Sequence, residues 1–63
     1  MMSSTEQALR YVYANPTGEV KSLLHNITLT DLGSLMTIGF VEHTGSTYSL
    51  TELGERYCKE MFE

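Results

Sequence analysis

The sequence predicts a small α+β domain that is mostly helical and carries a two-stranded β-hairpin between its third and fourth helices. Apolar residues recur at helical spacing up to Phe40 and again after Thr51, whereas the segment between them alternates with period two. Hydroxyl residues of the kind that favour helix N-caps precede each helical segment. With 63 residues and one set of core positions, we expect a single domain over 1–63.

The first helix is predicted over residues 4–14. Ser3 and Glu6 have the spacing of a capping box, in which each residue satisfies a free backbone N–H group of the other. Apolar residues then recur at helical spacing, namely Ala8, Leu9, Val12 and Tyr13. We expect the helix to end before Pro16, because the residue preceding a proline is pushed out of the helical region.

A second helix is predicted over 17–25, with Thr17 as its N-cap. Its apolar residues have the spacing of a single helix face: Val20, Leu23, Leu24 and Ile27. A third helix is predicted over 28–38, with Thr28 as N-cap and Asp31 in the first turn. Its apolar residues are Leu29, Leu32, Leu35 and Met36. Gly39 is expected to end this helix in the left-handed conformation, so that Phe40 folds back on it.

The hairpin is predicted from strands over 40–43 and 47–50, joined by a turn that contains Gly45. Tyr48 and Leu50 lie two residues apart and are therefore expected to share the face of the strand that covers the core. Thr51 is expected to cap a last helix over 52–62. The apolar residues of this helix are expected to be buried or to face a partner: Leu53, Tyr57, Cys58, Met61 and Phe62.

Two stretches resemble the winged helix-turn-helix domain of MarR-type and PadR-type transcriptional regulators. The stretch 35–42, Leu-Met-Thr-Ile-Gly-Phe-Val-Glu, is similar to a recognition helix that runs through a glycine into the first wing strand. The stretch 48–54, Tyr-Ser-Leu-Thr-Glu-Leu-Gly, is similar to the second wing strand and the next helix. The resemblance implies a three-helix winged helix with a hairpin wing and a C-terminal helix. In that arrangement Gly54 allows this helix to approach the sheet or helix 1 closely.

The resemblance also implies that helix 3 enters the major groove of duplex DNA and that the wing lies along the DNA backbone. Carried onto this chain, it assigns the following residues to DNA contacts: Lys21, His25, Thr28, Thr30, Asp31, Ser34, Thr37, His43, Ser46 and Thr47. Hydroxyl groups can contact phosphates and base edges, and Asp31 can accept a hydrogen bond from cytosine.

The charge pattern of the chain disfavours binding to duplex DNA. The chain carries 4 basic and 8 acidic residues, a net charge of −4, and residues 22–55 contain no lysine or arginine. Duplex affinity comes largely from neutralised phosphates. The alternative hypothesis is therefore an acidic winged-helix module that binds or inhibits a transcription or DNA-processing protein. In one form of it, Asp31, Glu42 and Glu52 imitate DNA.

The remaining titratable residues suggest no catalysis. His25 either ends helix 2 or contacts a phosphate, and His43 is expected to be a solvated strand residue. Cys58 is expected to be a small buried hydrophobic residue and not a reactive thiol. These three residues lack metal-ligand spacing, so we expect no metal, no cofactor, no small-molecule substrate and no enzyme activity.

Several apolar residues near the termini exceed what one small core needs. Tyr11, Tyr57, Met61 and Phe62 either form a homodimer face between helices 1 and 4 or belong to the core of their own domain. No apolar run approaches the length of a membrane span, and the N-terminal residues lack the pattern of a secretory signal. We expect a cytoplasmic protein.

Overall fold

The computed structural model describes residues 3–63 and confirms the α+β class. Within this range four helices and three strands follow one another as α1 (Ser4–Ala14), β1 (Thr17–Glu19), α2 (Val20–Leu23), α3 (Leu29–Ile38), β2 (Val41–Thr44), β3 (Thr47–Leu50) and α4 (Glu52–Phe62). The strands form one antiparallel sheet in the order β1-β3-β2. Each helix within this range falls short of the length or the hydropathy that a membrane span requires.

Three of the four predicted N-caps are confirmed. The hydroxyl oxygens of Ser3, Thr28 and Thr51 each accept a hydrogen bond from the backbone N–H group three residues on, at 3.0 to 3.1 Å. The helices that they begin agree with the predicted ranges to within one residue. These helices were predictable because a side-chain cap and an apolar periodicity are both local signals.

The predicted helix over 17–25 is wrong in its first and last residues. Residues 17–19 form β1, which pairs with β3 so that Gly18 lies opposite Tyr48. A Cβ on Gly18 would lie 3.2 Å from the Tyr48 ring, so glycine leaves room for that ring. Thr17 therefore caps nothing, and α2 is a single turn that ends at Leu23. The sheet is consequently three-stranded and not two-stranded as predicted, because a distant strand supplies hydrogen bonds that override the helical spacing.

The hairpin is confirmed with a shift of one residue. The first strand begins at Val41, because the backbone N–H of Phe40 instead donates to the carbonyl oxygen of Leu35 at 2.9 Å and closes α3. Gly39 has φ 94°, the predicted left-handed helix stop. Gly45, with φ 60°, begins the two-residue turn between the strands, where a positive φ suits the twist of a hairpin.

The core lies between the sheet and the three longer helices. Its buried side chains are Ala8, Leu9, Val12, Leu23, Ile27, Leu32, Leu35, Val41, Tyr48 and Cys58. The predicted burial of Cys58 and the inward position of Tyr48 are thereby confirmed. Leu29 was wrongly included in the apolar face of helix 3, since 71% of it is exposed at the first turn of α3.

Candidate functional site

The outer face of α3 is exposed and carries no charge. The residues Leu29, Thr30, Gly33 and Thr37 are all exposed there, and Ser34 is half-buried beside them.

Gly33 has no neighbouring atom within 4 Å of the position that a Cβ would occupy. Glycine in the middle of a helix costs about 1 kcal/mol relative to alanine. No contact within residues 3–63 explains that cost. Sequence reasoning missed Leu29 and Gly33 as surface residues, because apolar spacing included Leu29 in the buried face of the helix.

Asp31 does not belong to this face, and its predicted outward position is wrong. It is only 7% exposed, and its carboxylate accepts hydrogen bonds from the hydroxyl groups of Ser4 and Thr5 in the first turn of α1. The Thr5 bond measures 3.0 Å. Asp31 therefore joins α3 to α1 and is not available to a base edge.

The surroundings of Asp31 favour its ionised form. The Ser4 hydroxyl makes the largest contribution, and together with Thr5 and Thr28 it lowers the pKa of Asp31 below the ordinary value, against a smaller opposing effect of burial. The carboxylate also lies at the N-termini of α1 and α3, where the helix dipoles favour a negative charge. The helical position of Asp31 was predictable from its neighbours, but its hydrogen-bond partners on α1 follow only from the packing of α1 on α3.

The other predicted DNA-contacting residues lie at the surface. Seven of them, in addition to Thr30 above, are exposed: Lys21, His25, Thr28, Thr37, His43, Ser46 and Thr47. Three of these hydroxyls are engaged within the domain. The Thr28 hydroxyl oxygen accepts from the backbone N–H of Asp31, whereas Thr37 donates to the Gly33 carbonyl oxygen and Thr47 to that of Thr44. The hydroxyl oxygens of Thr37 and Thr47 keep their acceptor capacity.

The four cations are unevenly placed. Lys21 lies on α2, the single helical turn that precedes the connection to α3. Arg10 lies on α1 with its guanidinium carbon 4.2 Å from the centroid of the Phe62 ring, a cation–π contact with α4. Arg56 and Lys59 lie on α4. The outer face of α3 and the hairpin therefore have no cation of their own.

A second surface is apolar. We define the α4 patch as Ile38, Leu53, Tyr57 and Met61, which are 51%, 54%, 39% and 59% exposed. Ile38 and Tyr57 line a common cleft that also contains Phe40, and the rings of Phe40 and Tyr57 lie 4.8 Å apart. Large apolar side chains that are exposed together on a small domain are typical of an interaction surface.

The predicted dimer residues fall into two groups. Tyr57 and Met61 belong to the α4 patch, whereas Tyr11 and Phe62 pack against the core of their own domain. Phe62 contacts the ring of Tyr13 at a centroid distance of 6.5 Å. The exposed apolar surface thus lies on α4 and the end of α3, and it includes Ile38 and Leu53, which the predicted dimer face did not contain.

The metal-ligating side chains of residues 3–63 do not cluster. No group of three or more histidine, cysteine, aspartate or glutamate side chains is placed to hold a metal ion there. Burial raises the pKa of the Cys58 thiol above its ordinary value, which disfavours the reactive thiolate.

A polar cleft of about 280 Å³ lies between α1 and the α2–α3 connection. Its polar lining residues are Asp31, Ser4, Gln7, Tyr11, Asn26 and Thr28.

Comparison of the chain with protein-family models, with curated proteins and with solved structures finds no match.

Proposed function

We propose that this protein is a winged helix-turn-helix domain that binds duplex DNA through α3 and acts as a dimer in transcription regulation. The order of elements supports this proposal, because α2 and α3 are joined by a short connection and a hairpin follows α3 directly. The observation that carries the proposal is the exposed outer face of α3, which presents hydroxyl groups and no charge.

The inward position of Asp31 removes one objection to DNA binding. A carboxylate at the outer surface of α3 would face the phosphates with a like charge, but this one is held against Ser4 and Thr5. Thr30 and Ser34 remain for contacts to phosphates or base edges, and Leu29 is exposed for apolar contact with a thymine methyl group.

The small number of cations limits both the salt dependence of DNA binding and the affinity for non-specific sequence. Each neutralised phosphate contributes a salt slope of about −0.9 in log K against log salt. One Lys21 per protomer predicts a shallow slope for a dimer, and therefore weak binding to non-specific sequence. Specificity then depends on contacts from α3 and on the fixed distance between the two copies of α3 in a dimer.

Fluorescence polarisation with a randomised duplex at low salt tests the proposal. We expect Thr30→Lys to increase affinity and steepen the salt slope by about 1 per protomer, and Thr30→Glu to abolish binding. Glu55→Gln on α4 is the matched control, because it raises the net charge by the same amount as Thr30→Lys but lies outside α3. The absence of binding at tens of micromolar, or equal effects of Thr30→Lys and Glu55→Gln, contradicts the proposal.

The second candidate is a protein-interaction module built on the same scaffold. The observation that favours it is the absence of lysine and arginine from residues 22–55, together with the exposure of Leu29. Imitation of DNA by this surface is disfavoured, because Asp31 points inward and only Glu42 and Glu52 of the three acids are exposed. A complex of defined stoichiometry with a transcription or DNA-processing protein, formed without DNA and lost in Leu29→Glu, is the result that this candidate predicts.

A further inference from the structure

We infer that the α4 patch binds a second copy of this chain. The two copies pair through antiparallel α4 helices about a twofold axis at Tyr57. This inference rests on the proposal that the protein acts as a dimer, and it is independent of whether DNA is bound.

The apolar residues of α4 form a symmetric pattern. Leu53, Tyr57 and Met61 are spaced four residues apart on an 11-residue helix, so they lie along one face with Tyr57 at the centre. A twofold axis perpendicular to the helix at Tyr57 places Leu53 opposite Met61 of the partner subunit and Tyr57 opposite Tyr57 of the partner subunit. An isologous interface needs this kind of self-complementary surface.

The charges beside the patch are self-complementary in the same arrangement. Arg56 and Glu60 line one groove with Leu53 and Tyr57, on the flank of α4 that is turned away from the core. The only ion pair within residues 3–63 joins Lys59 and Glu55 at 3.8 Å, so Arg56 and Glu60 have no ionic partner in their own domain.

A twofold axis that relates two antiparallel α4 helices keeps the flank with Arg56 and Glu60 on the same side of the dimer in both subunits. Arg56 then lies near Glu60 of the partner subunit, offset by about 3 Å along the helix axis at 1.5 Å per residue, and the reciprocal pair forms at the other end. A parallel pairing would instead place this flank against the partner's opposite flank. That flank is already occupied, because Gly54 and Cys58 are packed on their own domain.

The patch extends beyond α4. Ile38, at the end of α3, lines the adjoining cleft with Tyr57 and Phe40, and the polar side chains of Ser3, Thr5 and Glu6 lie at its other side. The partner helix therefore meets apolar side chains of α3 as well as those of α4, with polar groups at the edge. A hydrophobic centre with a charged rim is the usual composition of a specific interface. A small domain with no disulfide within its chain also gains stability by covering such a surface.

Sedimentation or light scattering of the whole chain, without DNA, tests the assembly. We expect a dimer for the natural sequence and a folded monomer for Leu53→Glu, with an unchanged circular dichroism spectrum. Arg56→Glu and Glu60→Arg should each weaken the dimer about tenfold, and the double exchange should restore it. The control exchange of Glu55 with Lys59, on the opposite face, should leave the dimer unchanged. A protein that stays monomeric at about 100 µM, and whose dimer Kd is therefore much weaker than micromolar, overturns the inference, as does a double exchange without rescue.

Disulfide cross-linking tests the position of the axis separately. Tyr57→Cys places two thiols at the twofold axis within disulfide range, whereas Lys59→Cys places them on the outer face of α4. We expect a covalent dimer for the first variant only, because the natural Cys58 is buried. Equal cross-linking of both variants would contradict the arrangement. Failure of DNA binding by a protein that passes both tests would count against the proposed function and not against the dimer.

Discussion

The α-carbon of Gly54 packs against the backbone carbonyl of Phe40 so closely that a Cβ on Gly54 would lie 2.5 Å from its oxygen. The same oxygen accepts a hydrogen bond of 2.9 Å from the backbone N–H of Thr51. Thr51 also donates through its hydroxyl to the Gly39 carbonyl oxygen at 2.6 Å. The start of α4 is therefore fixed to the end of α3 and the start of the hairpin, which sets where the α4 patch lies relative to α3.

Gly54→Ala should destabilise the domain. The added methyl group meets a backbone oxygen, which cannot move aside as a flexible side chain can, and also Leu50 at 2.8 Å. We expect the free energy of unfolding to fall by about 1–3 kcal/mol, as for other overpacked sites. Urea denaturation monitored by circular dichroism at micromolar concentration measures this change. An increase in stability would show that α4 does not approach Phe40 as described.

Gly33→Ala, the same substitution at an open helical position, should have the opposite effect. Since no atom lies near the position of the new methyl group, we expect the gain in helix propensity to stabilise the domain by about 0.5–1 kcal/mol. If the outer face of α3 is a contact surface, the variant should also bind its partner more weakly. A loss of stability would indicate an intramolecular contact at Gly33.

Because of Asp31, the stability of the domain should depend on pH. Because the folded-state pKa of Asp31 is lowered, chiefly by Ser4, its stabilising effect is fully present above the unfolded value of about 3.8 and is lost as pH falls through the folded value. Asp31→Asn should therefore be less stable than the natural protein at pH 7, and the two stabilities should converge at the lowest pH. Thermal unfolding across pH 2–7 (roughly the span in which carboxylates titrate) measures this.

The control for Asp31 is Glu42→Gln, which removes the same charge from the exposed strand β2. Because Glu42 is exposed, we expect this variant to change the stability of the domain little. A constant difference between Asp31→Asn and the natural protein, down to acid pH, would show that hydrogen-bond geometry and not the ionised carboxylate stabilises the contact between α1 and α3.

Tyr48→Phe should weaken the connection between the sheet and α1. The Tyr48 hydroxyl donates to the Asn15 carbonyl oxygen at 2.6 Å, and the side chain is 5% exposed. Removal of the hydroxyl leaves this carbonyl without that donor, so we expect a loss of roughly 1–2 kcal/mol in urea denaturation. Tyr57→Phe, which removes a hydroxyl from a more exposed ring, is the matched control and should change stability little at concentrations where the protein is monomeric.

Local signals in the sequence were sufficient for most of the helices. The caps at Ser3, Thr28 and Thr51 and the stop at Gly39 were each predicted from neighbouring residues, and each is confirmed. Strand β1 was not predictable in this way, because its hydrogen bonds come from β3, about 30 residues further along the chain. The prediction of Thr17 as an N-cap therefore extended the predicted helix over residues 17–19, which form part of the sheet.

The candidate surfaces were predicted less well than the helices. Leu29 and Asp31 are two positions apart in the first turn of α3, and their predicted locations are reversed: the leucine is exposed and the aspartate is buried. Composition alone favours the opposite, since leucine is usually buried and aspartate is not. Ser4 and Thr5 decide the matter, because their hydroxyls offer Asp31 the hydrogen bonds that make its burial favourable.

By itself, the sequence determined the α+β class, the ends of α1, α3 and α4, and the absence of lysine and arginine from residues 22–55, because these follow from residue type and local spacing. The tertiary structure alone decided the third strand, the uncharged outer face of α3 and the exposure of Ile38, Leu53, Tyr57 and Met61 as one patch. Each of these depends on which elements pack against each other. Packing joins residues far apart in the chain, which a periodicity of a few residues does not register.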